Sequence, residues 1–181
     1  MKKIILLIST LFAFTACSTS ESTSYRNELV GIVNADTFIF SGSGTQGLVG
    51  IESFETLPVQ KRLDQSRCSR GNEFIIRDMG FAAQYFAETY MHYGNSYDVS
   101  LYPMNDYYGR ELAAVYVDDR TLNLLMVENG YALPSLDTGL NRIEPAFRDD
   151  IMHALYIAKS QGRGLWYDYY NEMQCLENMF L

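Results

Sequence analysis

Five short runs of branched and aromatic residues, broken once by a helical repeat, limit most strongly what this chain can fold into. Leu29 to Val33 and Thr37 to Phe40 flank the turn residues Asn34-Ala35-Asp36, and Leu48 to Glu52 follows the turn Ser41 to Gly44. These three read as a strand meander. Asp78 to His92 then changes to helical spacing, with Phe81, Ala82, Tyr85 and Phe86 on adjoining turns and Gly94 as the stop. Tyr97 to Tyr102 and Glu111 to Val117 are two further strands, with Asp118-Asp119 as a turn after the second. Asn123 to Asn129 is a short helix stopped by Gly130; Ile151, Ala154, Leu155 and Ala158 mark one face of another, starting near Pro145 and ending at Gly162. Five strands with a helix between the third and fourth is the order of an OB barrel, whose closure removes most sheet edges. The expected fold is therefore α+β, mainly β: a five-stranded OB-fold barrel with three helices.

The N-terminus is a different kind of segment. Lys2 and Lys3 precede the apolar run Ile4 to Ala13, which is too short to span a bilayer as a helix, and Phe14-Thr15-Ala16 leads to Cys17. Residues 1–16 read as a lipoprotein signal peptide, with Cys17 as the lipidated residue and residues 17–27 as a polar tether containing Ser-Thr-Ser-Glu-Ser-Thr-Ser. Residues 28–181 form one expected domain, long enough for a single hydrophobic core. Export and anchoring to the bacterial envelope follow, facing the periplasm or the cell surface. Loss of Lys2 and Lys3 with the leader takes the 14 basic residues to 12 against 22 acidic ones, a formal charge of −10. Such a field slows the approach of a polyanion unless cations or a local basic patch intervene. With Cys17 assigned to lipid, Cys68 and Cys175 remain as an even pair in an oxidising setting, and a disulfide is expected. A metal-thiolate site is the alternative, but no histidine stands near either cysteine.

Several motifs dissolve on inspection. Gly42-Ser43-Gly44-Thr45-Gln46-Gly47 matches G-x-G-x-x-G, yet a strand pattern follows where phosphate binding needs a helix N-terminus. A hairpin connection is expected there. His92 and His153 have no partner at metal-ligand spacing and read as structural or solvent-facing. Three acids are more informative. Asp36 in the first turn and Glu52 and Glu55 at the end of the third strand fall at the same end of a meander. Converging carboxylates can hold a hard divalent cation and leave one to take a proton from water; they are also what exposed strand ends of any acidic chain carry.

Larger patterns add a resemblance. Asn34-Ala35-Asp36-Thr37, Gly50-Ile51-Glu52-Ser53-Phe54-Glu55 and Asp106-Tyr107-Tyr108-Gly109-Arg110-Glu111-Leu112-Ala113 occur in order. They are followed by Leu122-Asn123, Met126-Val127, Gly130-Tyr131-Ala132 and Gly162-Arg163-Gly164-Leu165-Trp166. From about Glu28 to Tyr167 the chain resembles the thermonuclease (staphylococcal nuclease-like) family, an OB barrel with three helices. The resemblance implies a calcium ion held by Asp36 and Glu52, Glu55 as general base on water, Arg110 on the phosphate and Tyr108 at the nucleotide. It implies a nuclease cutting DNA and, as a further substrate, RNA, working as a monomer.

The pattern is incomplete. The family's arginine five residues before the Gly-Ile-Asp carboxylate falls here on Gly47, and no arginine or lysine lies between Arg26 and Lys61. Glu52 replaces a shorter aspartate, and Asn34 and Phe54 also depart. One preorganised cation against a phosphoryl group is commonly worth about 10² to 10³ in rate. Arg62, Arg67 or Arg70, in the polar stretch Thr56 to Asn72 that also holds Lys61, is the expected substitute. A rival reading, motivated by Gly47 and the acidic balance, is a catalytically silent OB-fold lipoprotein that binds a protein, a glycan or the envelope.

Overall fold

The computed structural model describes residues 23–181. The expected signal peptide, Cys17 and the tether up to residue 22 lie outside the described residues. In chain order the elements are β1 (Thr23–Asn34), β2 (Thr37–Phe40), β3 (Gly44–Leu48), β4 (Ile51–Glu52), α1 (Gln60–Ser66) and a single 3-10 turn (Arg67–Ser69). Then come α2 (Glu73–Glu88), β5 (Ser96–Asn105), β6 (Glu111–Val117), β7 (Arg120–Thr121), α3 (Leu122–Glu128), β8 (Leu133–Pro134), α4 (Pro145–Gln161), α5 (Leu165–Asp168) and α6 (Tyr170–Phe180).

Strand β1 is long enough to serve two neighbours. Residues 23–28 pair antiparallel with 96–101 of β5, while residues 29–34 pair with β2. Register shifts after Leu29 and Ile32 bend the strand between these partners. Residues 23–27, expected as tether, are thus ladder-bonded strand, and Tyr25 packs against the core with its hydroxyl accepting from Gln46 Nε2 at 3.0 Å. β2 pairs with β3, β5 with β6, and the parallel pairing of 46–48 with 111–113 closes a five-stranded barrel. Asn123, wholly buried, secures this closure. Its amide donates to the Val49 carbonyl at 2.9 Å and the Ala113 carbonyl at 3.3 Å, and its Oδ1 accepts from Val115 N. The third expected strand, 48–52, is divided: Val49 donates to Ala113, Gly50 turns at φ 75°, and Ile51–Glu52 pairs instead with β8.

The three expected helices are present as α2, α3 and α4, with shifted boundaries for the first. Asn72 caps α2 through a 3.1 Å bond from Phe74 N, five residues earlier than the aromatic spacing indicates. Phe81 and Tyr85, read as part of its inner face, are exposed; Ile76, Met79, Gly80, Ala83 and Ala87 face the core. Small residues win because the helix lies directly on the segment after β4. A Cβ at Gly80 would stand 2.7 Å from the Phe54 carbonyl oxygen. Pro145 opens α4, and Gly162 ends it in the left-handed region.

Helices α1, α5 and α6 exceed the expected three. The last buries Met173, Leu176 and Phe180, and Lys159 Nζ meets Glu177 at 2.6 Å. Cys175 of α6 is bonded to Cys68, with Cα atoms 5.4 Å apart. The disulfide closes a loop of 107 residues and fixes α6 to the turn just after α1. No helix among the described residues is long and apolar enough to cross a membrane. Cys68→Ser with Cys175→Ser should lower unfolding free energy by about 3 to 5 kcal/mol, read as a fall in the urea midpoint of the double variant.

Candidate active site

The turn between β1 and β2 points a carboxylate into the end of the barrel rather than out to water. Asp36 is 2 % exposed. It accepts from Ser53 N at 2.7 Å and from Thr37 Oγ1 at 2.8 Å, joining the first turn to the segment after β4. Arg110 Nη1 stands 3.6 Å from one oxygen and Lys61 Nζ 3.8 Å from the other. Burial alone would raise its pKa, but Lys61, Arg110 and the two hydrogen bonds outweigh it and hold the carboxyl below the ordinary aspartate range.

Lys61 is the centre of the cluster. Its Nζ is in direct contact with Glu52 Oε1 and lies 3.8 Å from Glu55 Oε2, so one ammonium faces all three acids of the meander end. Burial works against its charge, but Asp36 and Glu52 together keep its pKa above the usual lysine range. Glu52 moves the other way. Burial, with Asp36 beside it, pushes Glu52 up to about 7 despite the contact with Lys61. The helix that carries Lys61 is pinned: buried Gln65 accepts from Glu55 N at 2.9 Å and donates to the Ser53 carbonyl at 3.1 Å, and Arg62 donates to the Thr56 carbonyl and to Glu73.

Glu55 itself is held by two donors, Leu57 N at 3.1 Å and Asn34 Nδ2 at 3.4 Å. The departure at Asn34 has a physical reason here. An aspartate would set another carboxylate against Glu55, whereas the amide donates to it and its Oδ1 accepts from Asp36 N. Arg110 is aimed by the hairpin that bears it. Asp106 Oδ1 accepts from Tyr108 N and Arg110 N, both at 2.9 Å, and Asp106 Oδ2 holds Arg110 Nε. The far end of the guanidinium donates to Thr37 Oγ1. Burial disfavours its charge, but Asp36 and Asp106 reverse the effect and raise its pKa. Tyr108 is exposed, with Arg110 Cζ 5.8 Å from its ring centre.

Two openings meet at this cluster. One, of about 370 Å³, is lined by Asn34, Thr37, Glu55, Lys61, Tyr108 and Arg110, together with the apolar Val33, Leu57 and Val59. The other, of about 230 Å³, is walled by Glu52, Asp64, Asp106 and Asp137, also with Lys61 and Tyr108. Cations therefore face the first and acids dominate the second. An anion is favoured only in the first.

A family profile described as "Staphylococcal nuclease homologue" matches residues 48–168. The chain belongs to this family. No curated relative matches it. Of the site residues, Glu52, Glu55, Lys61, Tyr108 and Arg110 lie inside the span matched to the staphylococcal nuclease homologues, and Asp36 lies before it.

All five expected site residues converge, and Lys61 stands among them. In this arrangement Asp36 and Glu52 close on Lys61, where the resemblance implies calcium. Among the described residues no three His, Cys, Asp or Glu side chains are grouped to hold a metal ion. None of Arg62, Arg67 and Arg70, the expected substitutes for the family arginine, stands at the acid cluster. Arg62 is bound to Glu73 and Thr56, Arg67 is turned outward with Asp64, and Arg70 is exposed. Lys61 enters instead, since one turn of α1 carries it over the end of β4. Gly47 lies under Arg110: a Cβ there would meet Leu112 Cδ2 at 3.2 Å and Arg110 Cζ at 3.4 Å. Sequence offered one signal for Lys61, as the sole lysine between Lys3 and Lys159 in a chain whose other cations there are arginines. His92 and His153 are exposed and stand outside the site, while residues 44–47, expected as part of a hairpin connection, belong to strand β3.

Gln65 had no signal at all. Gln65→Leu leaves Glu55 N–H and the Ser53 carbonyl without partners, and urea titration should show a loss of about 1 to 3 kcal/mol.

Proposed function

We propose that this staphylococcal nuclease homologue is an exported phosphodiester hydrolase that cuts DNA and, as a further substrate, RNA, tethered outside the cytoplasm by lipid on Cys17. The observation that carries the reading is one groove lined by a carboxylate, Glu55, two cations, Lys61 and Arg110, and an exposed aromatic, Tyr108. Those are the groups that attack on phosphorus needs: a base for water, positive charge for the phosphoryl oxygens and a face on which a base can stack.

The chemistry follows from that arrangement. A phosphodiester lying in the groove presents its non-bridging oxygens to Arg110, whose guanidinium is oriented by Asp106 and Thr37. Glu55 takes the proton of a water as its oxygen bonds to phosphorus, and the P–O bond opposite breaks, its oxygen taking a proton from solvent. Asn34 and Leu57 N hold both Glu55 oxygens and set its orientation. Calcium is what the family resemblance implies, with Asp36 and Glu52 as its donors. With Lys61 Nζ against Glu52 and facing Asp36, the donor set as arranged does not fit that ion.

The rival, a silent binding module, draws support from the same feature, because Lys61 is shared among three carboxylates before any ligand arrives. Cleavage of single-stranded DNA and RNA by protein beginning after Cys17 separates the two. Glu55→Gln should lower kcat about 10² to 10⁴-fold with little change in KM. Arg110→Lys should cost about 10² to 10³ in kcat/KM, since lysine lacks the planar fork. Absence of cleavage by the unaltered protein at every salt concentration would leave the binding module.

A further inference from the structure

Resting on the nuclease reading, we infer that Lys61 is the resident cation of this site: its ammonium takes the place between Asp36 and Glu52 that a divalent ion would need, and cleavage proceeds without added metal. Three observations carry this. The ammonium is at the focus of the acids, touching Glu52 and equidistant, at 3.8 Å, from Asp36 and Glu55. At 3.8 Å those two are beyond hydrogen-bond reach, so of the three Nζ–H donors one is engaged by Glu52 and two are unspent. Lys61 also lines the 370 Å³ groove beside Glu55 and Arg110, where the unspent donors can meet a phosphoryl oxygen or the attacking water.

The second observation is that the lysine is built in. Helix α1 is held from below by Gln65, on its flank by Arg62 bonded to Thr56 and Glu73, and just past its end by the Cys68–Cys175 disulfide. Its side chain is 12 % exposed. A cation on a fixed short helix needs no capture from solution, unlike a free ion.

The third is the vacancy left by the arginine that the family pattern places at Gly47. Lys61 and Arg110 are the two cations against Asp36, Glu52, Glu55 and Asp106. Lysine 61 thus supplies the positive charge that Gly47 cannot. Removing it would leave four carboxylates facing one guanidinium, the condition under which an oxygen-seeking divalent ion is drawn in.

The test titrates the full-length chain in non-ionic detergent with calcium chloride by calorimetry, follows its Tm with and without calcium, and measures DNA cleavage in EDTA, for the unaltered protein, Lys61→Met and Lys61→Arg. Expected are no calcium heat and no Tm shift for the unaltered protein and Lys61→Arg, with EDTA leaving cleavage by the unaltered protein intact. Lys61→Met should bind calcium, gain Tm with it, and lose about 10² to 10³-fold in EDTA cleavage rate, partly restored by calcium. Stoichiometric calcium uptake by the unaltered protein, or cleavage that EDTA abolishes, overturns the proposal. If no form cleaves, the nuclease reading falls while the calcium titration still decides what occupies the acid cluster. If Lys61→Met does not fold, the titration and EDTA assay of the unaltered protein and Lys61→Arg decide it.

Discussion

A buried carboxylate governs this molecule. Asp36 sits almost wholly out of water at one end of the barrel, and a charge in that position is tolerable only if cations and hydrogen bonds reach it. Its partners come from four parts of the chain: Thr37 from the same turn, Ser53 from the segment after β4, Lys61 from α1 and Arg110 from β6's leading hairpin. Breaking such a buried pair by removing one partner typically costs about 3 to 5 kcal/mol. The ion pairs that make the site thus also tie the first turn to α1 and to the hairpin before β6.

Two of the departures from the family pattern, Asn34 and Glu52, lie in the cluster that Lys61 centres. Asn34 donates to Glu55 where another acid would repel it. The longer Glu52 reaches Lys61 directly. At Gly47 an added Cβ would press on Leu112 Cδ2 at 3.2 Å and touch Arg110 Cζ at 3.4 Å, an ordinary contact. Phe54, in place of proline, is fully buried, and its carbonyl lies against Gly80 of α2. Of these four changes, Glu52 contacts Lys61 directly and Asn34 reaches it through Glu55, while Gly47 and Phe54 pack elsewhere.

The acidic surface then has a definite geography. Glu52, Asp64, Asp106 and Asp137 gather on the smaller opening, Lys61 lines both, and Arg110 and Glu55 line the larger one. A polyanion meets a repulsive field over most of the protein and one groove with fixed positive charge.

Sequence alone determined the barrel, because strand runs and turn residues are local signals, and resemblance of contiguous motifs to the thermonuclease family singled out Asp36, Glu52, Glu55, Tyr108 and Arg110. Sequence also paired Cys68 with Cys175 by subtraction, and the bond is present. The inner face of α2 was misread, since exposed aromatics such as Tyr85 satisfy helical spacing as well as buried ones do, and only close approach to Phe54 selects Gly80 and Ala83. Helix α6 depends on the disulfide and on packing against residues far away in sequence. Which cation of the loop enters the acid cluster was a tertiary decision. Lys61 and Arg62 are neighbours in the chain, yet the turn of α1 sends one inward to Glu52 and the other to Glu73, and nothing in their spacing says which.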